Sequence, residues 1–141
     1  TTSFFTIKSH FLKNLNLKFN QKLKLANSIK IESKSIERIL IPINLDYIRM
    51  YSGLPVFVDW KHHAFRYDQL IEWKLRVDLA KNFFGSKSFE EQTTELKKIK
   101  DIEYISHILI KKDKLRVDCN DLINHNTYVL VDLKECFDNK L

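Results

Sequence analysis

Residues 55–76, PVFVDWKHHAFRYDQLIEWKLR, pass from an apolar triplet through charged and aromatic residues into an amphipathic stretch without a break. Val56, Phe57 and Val58 are β-branched or aromatic, the types a buried strand selects, and Asp59, Trp60 and Lys61 stand where that strand leaves the core. Helical spacing takes over near Tyr67 or Asp68, whose carboxylate suits the positive end of a helix dipole. Leu70, Ile71, Trp73, Leu75, Val77, Leu79 and Ala80 then clothe a helix that ends around Phe84 and Gly85, and so broad an apolar surface predicts that it is largely buried. A strand followed at once by a helix is the unit of a parallel sheet, in which ligands bind beyond the carboxyl ends of the strands. Asp59, Trp60 and Lys61 occupy that end of the expected central strand.

Upstream, RILIPI at residues 38–43 reads as a buried strand ending at or just after Pro42. Asn44 can cap a short helix through Asp46, Tyr47, Ile48 and Met50 that stops at Gly53, so strand, helical crossover and strand make a compact parallel pair. Over residues 4–31 helical and alternating spacings compete; helix is favoured from about Phe19 to Ile29, behind a basic leader or linker over residues 1–17. Downstream, Ser88 with Glu91 three residues on signals a helix running to about Lys100, whose polar surface places it outside. YISHILIK (104–111) and TYVLVDL (127–133) read as strands, with His125 and Asn126 turning into the second. Residues 115–117 offer a short edge strand, and residues 120–123 one turn of helix.

This order predicts one α/β domain over residues 18–141: a small, mainly parallel, Rossmann-like sheet of about four to five strands flanked by helices, its last strand a candidate for antiparallel pairing. Residues 39–41, 56–58, 108–110 and 129–131 are the expected core strands. Only 2 Gly and 2 Pro argue against a sandwich built from many tight hairpins. No apolar run approaches the roughly 20 residues of a membrane span. The chain begins at Thr1 without an initiator Met and is expected to be a piece of something longer, with any anchor elsewhere.

Lys8, Lys13, Lys18, Lys22, Lys24 and Lys30 account for the whole formal charge of +6, because residues 1–30 hold no acid and the remainder balances. The body is therefore not a basic nucleic-acid surface, and nucleic acid is not an expected partner. Residues 1–30, basic and amphipathic, could lie on an anionic membrane surface. Cys119 and Cys136 are too few and too far apart for a zinc knuckle or a thioredoxin-type pair. They read as two ordinary thiols, and a disulfide between them requires an oxidising compartment.

Three groupings could carry chemistry. Asp59 and Lys61 share one side of a strand, since side chains alternate, and a carboxylate beside an ammonium can hold a divalent metal and steady a developing negative charge. With Asp46 as the upstream acid, this resembles the Asp/Glu-x-Lys strand of magnesium-dependent nucleases of the restriction-enzyme type; Mg2+ is the cofactor under that alternative alone, and the plainer reading is a surface ion pair. Glu72 and Arg76, spaced i, i+4, read as a helix ion pair, and if the helix begins over the strand end, Arg66, Lys61 and the neighbouring rings form a positive, aromatic-walled pocket for a phosphate or sugar. Because the loop from His62 to Arg66 is short, Asp59, Lys61, Glu72 and Arg76 are expected to form one charge network. His62 and His63 are adjacent and diverge on an extended chain, so they chelate poorly even with Asp59 and a remote His10, His107 or His125.

Residues 37–76, ERILIPINLDYIRMYSGLPVFVDWKHHAFRYDQLIEWKLR, resemble a segment in the C-terminal soluble part of an uncharacterised family of bacterial multi-spanning membrane proteins. The likeness rests on the strand ending in Pro42, on Arg49 and Ser52, on Val58-Asp59-Trp60-Lys61, Phe65, and on Glu72-Trp73 with Arg76; it thins toward Leu133, and Ala64 stands where the family tends to have Pro. Similar soluble domains follow the membrane part of enzymes that transfer sugars from lipid carriers. The resemblance implies an extracytoplasmic, non-catalytic domain without a cofactor, joined to the rest of its own membrane-spanning chain, that recognises a sugar or phosphate or supports a glycosyltransferase-like membrane part. Arg49, Asp59, Lys61, Arg66, Glu72 and Arg76 are its expected ligand-binding residues. The competing reading is a metal-dependent nuclease or phosphodiesterase with Asp46, Asp59 and Lys61 as catalytic residues. The lysine-rich leader pulls against an outside location, since basic segments next to a span stay in the cytoplasm.

Overall fold

The computed structural model describes residues 20–60, 66–125 and 127–137. The expected leader and Lys61, His62, His63, Ala64 and Phe65 lie outside the described residues. In chain order come α1 (residues 20–31), β1 (Ile39–Leu40), α2 (Tyr47–Ser52), α3 (Tyr67–Phe84), α4 (Phe89–Ile102), β2 (His107–Lys111), β3 (Asp121–His125), β4 (Tyr128–Asp132) and α5 (Leu133–Cys136), with 3-10 turns at Ser33–Ser35 and Lys112–Lys114.

Alternation along the strands builds two apolar layers, one on each face of the sheet. Ile39, Ile41, Leu109 and Leu130 face Leu25, Ala26 and Ile29 of α1 and Ile48 of α2. Leu40, Ile108, Ile110, Val129 and Val131 face Val77, Ala80 and Phe83 of α3 and Leu96 and Ile99 of α4. The sheet is thus sandwiched between helices, as an α/β pattern requires.

Its topology is mixed and not mainly parallel. The strand order is β1-β2-β4-β3; β1 and β2 are parallel, while β4 runs antiparallel to both β2 and β3. Parallel neighbours need a long crossover, and after β2 the described chain has only one 3-10 turn before β3, which then turns back into β4. The Rossmann-like expectation fails there. Residues 56–58, expected at the centre, lie at the edge, joined to β1 by a single parallel bridge from Ile39 to Val56.

Several local expectations change for identifiable reasons. Residues 120–123 are not a helical turn: Asp121–His125 is the outer strand, held by β4, with only Ile123 packed on the core. Residues 115–117 are not a strand, because Gln92 of α4, fully buried, holds that backbone from both sides, donating to Lys114 O at 2.8 Å and accepting from Arg116 N–H at 3.2 Å. That buried Gln92, with Thr93, Leu96 and Ile99, also places one face of α4 inside. α3 buries only one side; Tyr67, Leu70, Ile71 and Leu75 remain exposed because this helix is an outer layer. α2 takes Asp46, not Asn44, at its N-cap and stops at Gly53, whose φ of 71° is costly for any residue with a Cβ. Cys119 and Cys136, far from being two ordinary thiols, form a disulfide with Cα atoms 5.2 Å apart.

Candidate functional site

The edge segment uses one side of its backbone for the sheet: Ile39 N–H donates to Pro55 O at 3.1 Å and Phe57 N–H to Ile39 O at 3.0 Å. Among the described residues no strand follows on the other side, and carbonyls of the segment left out of the sheet pairing need donors. Side chains supply them. Arg38 Nη1 donates to Val56 O (3.2 Å), Arg76 Nη1 to Phe57 O (3.2 Å) and Trp73 Nε1 to Asp59 O (3.1 Å). α3 delivers two of the three, so it caps the sheet edge as well as covering a face.

Glu103, at the C-terminal boundary of α4, ties the two guanidinium groups together. Its Oε1 accepts from Arg38 Nη2 at 2.9 Å and its Oε2 from Arg76 Nη1. Arg76 also binds Glu72, one turn back on α3, at 2.9 Å, and its guanidinium lies 5.0 Å from the centre of the Phe57 ring. Arg76 keeps 19% of its side chain in solvent and Glu72 57%, so the Arg76–Glu103 link is the sheltered one and Glu72 contributes little to stability. A cleft of about 350 Å³ opens here, floored by Val56, Phe57 and Val58 and walled by Gln69, Trp73 and the four charged residues. Two arginines face two glutamates, so its formal charge cancels.

The expected single network of Asp59, Lys61, Glu72 and Arg76 is divided in the structure. Asp59, 0% exposed, pairs through Oδ2 with Arg49 Nε of α2 at 2.9 Å, while its buried Oδ1 has no hydrogen-bond partner. Arg76 belongs to Glu72 and Glu103. Trp73 links the two clusters, holding the Asp59 carbonyl and packing 5.9 Å from the Trp60 ring, over which Lys81 Nζ sits at 5.0 Å. Lys61 lies outside the described residues. Arg66 does not line the cleft; it stands at the exposed start of α3 in a surface pair with Asp68 at 3.2 Å.

The cleft also departs from the expected end of the segment. Arg38 immediately precedes β1 and Glu103 precedes β2, so the pocket sits by the amino-terminal ends of the parallel strands. Arg38, Gln69 and Glu103 carried no local signal in the sequence, because their roles exist only where three separate elements meet.

Two arrangements bear on catalysis. Asp46 occupies the N-cap position of α2, and among the described residues no three His, Cys, Asp or Glu side chains gather as metal donors. Asp59, buried and held by arginine, has the setting of a structural carboxylate. Ser106, His107 and Asp132 come close, with Ser106 Oγ 2.8 Å from His107 Nδ1 and His107 Nε2 3.8 Å from Asp132 Oδ2. That hydroxyl, however, accepts from Glu37 and Arg38 N–H at 2.9 and 3.2 Å and donates to Arg38 O at 3.0 Å, so Ser106 is a clamp between the β1 entry and β2.

A family model described as a domain of unknown function (DUF6798) matches residues 21–80, which run from α1 into α3 and include every cleft residue except Glu103. No curated protein and no solved structure matches the chain.

Proposed function

We propose that this chain is a non-catalytic domain of a larger membrane-anchored protein, lying on the extracytoplasmic side and recognising a small polar ligand at the edge cleft. The carrying observation is the Arg38–Glu103–Arg76–Glu72 network: its charges are paired, and its arginines spend donors on the backbone as well as on carboxylates. Such groups hold a shape and offer hydrogen bonds. General acid–base or nucleophilic work needs a group free to exchange a proton or attack.

The location is supported by the Cys119–Cys136 disulfide, since such bonds persist in oxidising compartments. Lys22, Lys24 and Lys30 lie on the exposed side of α1, where an anionic bilayer surface would meet them. No helix among the described residues is long and apolar enough to cross a membrane, so in this reading the anchor, and any glycosyltransferase-like part that the domain supports, comes from the rest of the protein.

Fractionating cells that express the natural full-length product tests this reading. It should sediment with membranes, and Cys119 and Cys136 should resist a membrane-impermeant maleimide until a reductant is added. A soluble product whose two thiols label without reductant would overturn the proposal.

A further inference from the structure

Resting on that reading of the cleft as a recognition site, we infer that its ligand is a small, uncharged, polyhydroxylated molecule of the sugar class and not a phosphate. Charge decides first. An anion binds where arginine is uncompensated, yet Glu103 already holds Arg38 and Arg76, and Glu72 holds Arg76 a second time. Of the five guanidinium N–H groups of Arg76, Nε and one on Nη2 go to Glu72, and those on Nη1 go to Phe57 O and Glu103. A phosphate would have to displace a carboxylate or sit beside two of them.

The cleft lining decides next. Val56 and Val58 are only 2% and 1% exposed, so the cleft meets a ligand mainly through its side-chain walls, where carboxylate acceptors stand beside arginine donors. A hydroxyl both donates and accepts, so a polyol can meet such a mixture without adding charge, whereas a phosphate is repelled by the two carboxylates. Gln69 adds an amide with the same dual character, and the half-buried Trp73 ring adds a flat apolar wall for C–H groups. A paired peptide strand fits less well, because Arg38 occupies the Val56 carbonyl that its ladder would need. At about 350 Å³ the space stands at the small end of ligand pockets and admits one compact molecule.

The test titrates the isotope-labelled chain with glucose, N-acetylglucosamine and inorganic phosphate separately, up to tens of millimolar, while amide and indole signals are followed by NMR. A neutral sugar should shift the Val56 and Val58 amides and the Trp73 indole in a saturable way, with phosphate leaving them in place. Gln69→Ala, which touches no ion pair, should keep the fold and weaken that binding by about threefold to tenfold. Phosphate shifting those signals while both sugars are silent would overturn the ligand class and leave the recognition reading standing. Silence from all three probes, or sugar shifts confined to another surface, would overturn the inference. The fractionation experiment decides the broader reading independently.

Discussion

Arg49 and Asp59 meet at 2.9 Å with unequal access to water, the arginine side chain 35% exposed and the carboxylate not at all. The pair should therefore respond asymmetrically to mutation. Arg49→Gln strands a buried carboxylate and should cost about 3 to 5 kcal/mol; Asp59→Asn leaves a guanidinium that can turn to solvent and should cost only about 1 to 2 kcal/mol. Urea unfolding of both variants checks the order, and equal losses below about 1 kcal/mol would place the pair in water. His107 makes a second residue-scale case. It is 1% exposed with no hydrogen bond at Nε2, and burial holds its pKa below the ordinary 6.5 against the opposing pull of Asp132 and Glu32. As pH falls through 6.5 the unfolded chain takes up a proton that the folded one resists, so stability present above that pH is lost until the folded form is protonated too. The urea midpoint should drop between about pH 7 and about pH 5, and His107→Gln should flatten that drop; an unchanged slope would clear His107 of any part in it.

At the level of elements, what local spacing encodes was legible. Ser88 accepts from Glu91 N–H at 3.2 Å and starts α4, α3 spans the expected helix, Glu72 pairs with Arg76, and β2 and β4 occupy the apolar runs. The misreadings fall where distant side chains take over backbone bonds. Gln92 holds residues 114–116 out of a sheet, β4 draws a polar segment into β3, and residues 56–58 read as a centre because nothing local reveals that the carbonyls of Val56, Phe57 and Asp59 are served from Arg38, Arg76 and Trp73. The candidate site was half legible for the same reason: Arg76 and Glu72 stood out on one helix, whereas Glu103 and Arg38 join them only in three dimensions. Arg76→Gln tests the capping role. It removes the donor to Phe57 O and one partner of Glu103, and should cost about 2 to 4 kcal/mol. Hydrogen exchange at the Phe57 amide should accelerate more than at Leu109 in β2. Equal acceleration at both would mean that Arg76 supports the whole fold and not the edge.

Across the whole molecule, the disulfide and the helical layers restrain different parts of one sheet. Cys119 and Cys136 are 17 residues apart in sequence, and their loop contains the entire β3–β4 hairpin. Its C-terminal anchor is deeply set: Cys136 is 1% exposed, and the next residue, Phe137, stacks on Phe89 of α4 with ring centres 5.9 Å apart. The other anchor leads into an outer strand that is mostly exposed and whose pairing is irregular between Asp121 and Ile123. Closing a loop of this length should stabilise the fold by about 3 kcal/mol, chiefly by restricting the unfolded chain. β4 keeps five register pairs with β2 whether or not the bond is present, whereas β3 is held by β4, by the packing of Ile123 and by the tether. Reduction should therefore lower the urea midpoint, leave the far-ultraviolet circular dichroism nearly intact, and abolish exchange protection at Ile123 and Asn124 before Leu109 or Leu130. The double variant Cys119→Ala with Cys136→Ala should reproduce that order without reductant. If protection at β2 and β3 disappears together, the bond restrains the core as one cooperative unit, and β3 is not a separately tethered edge.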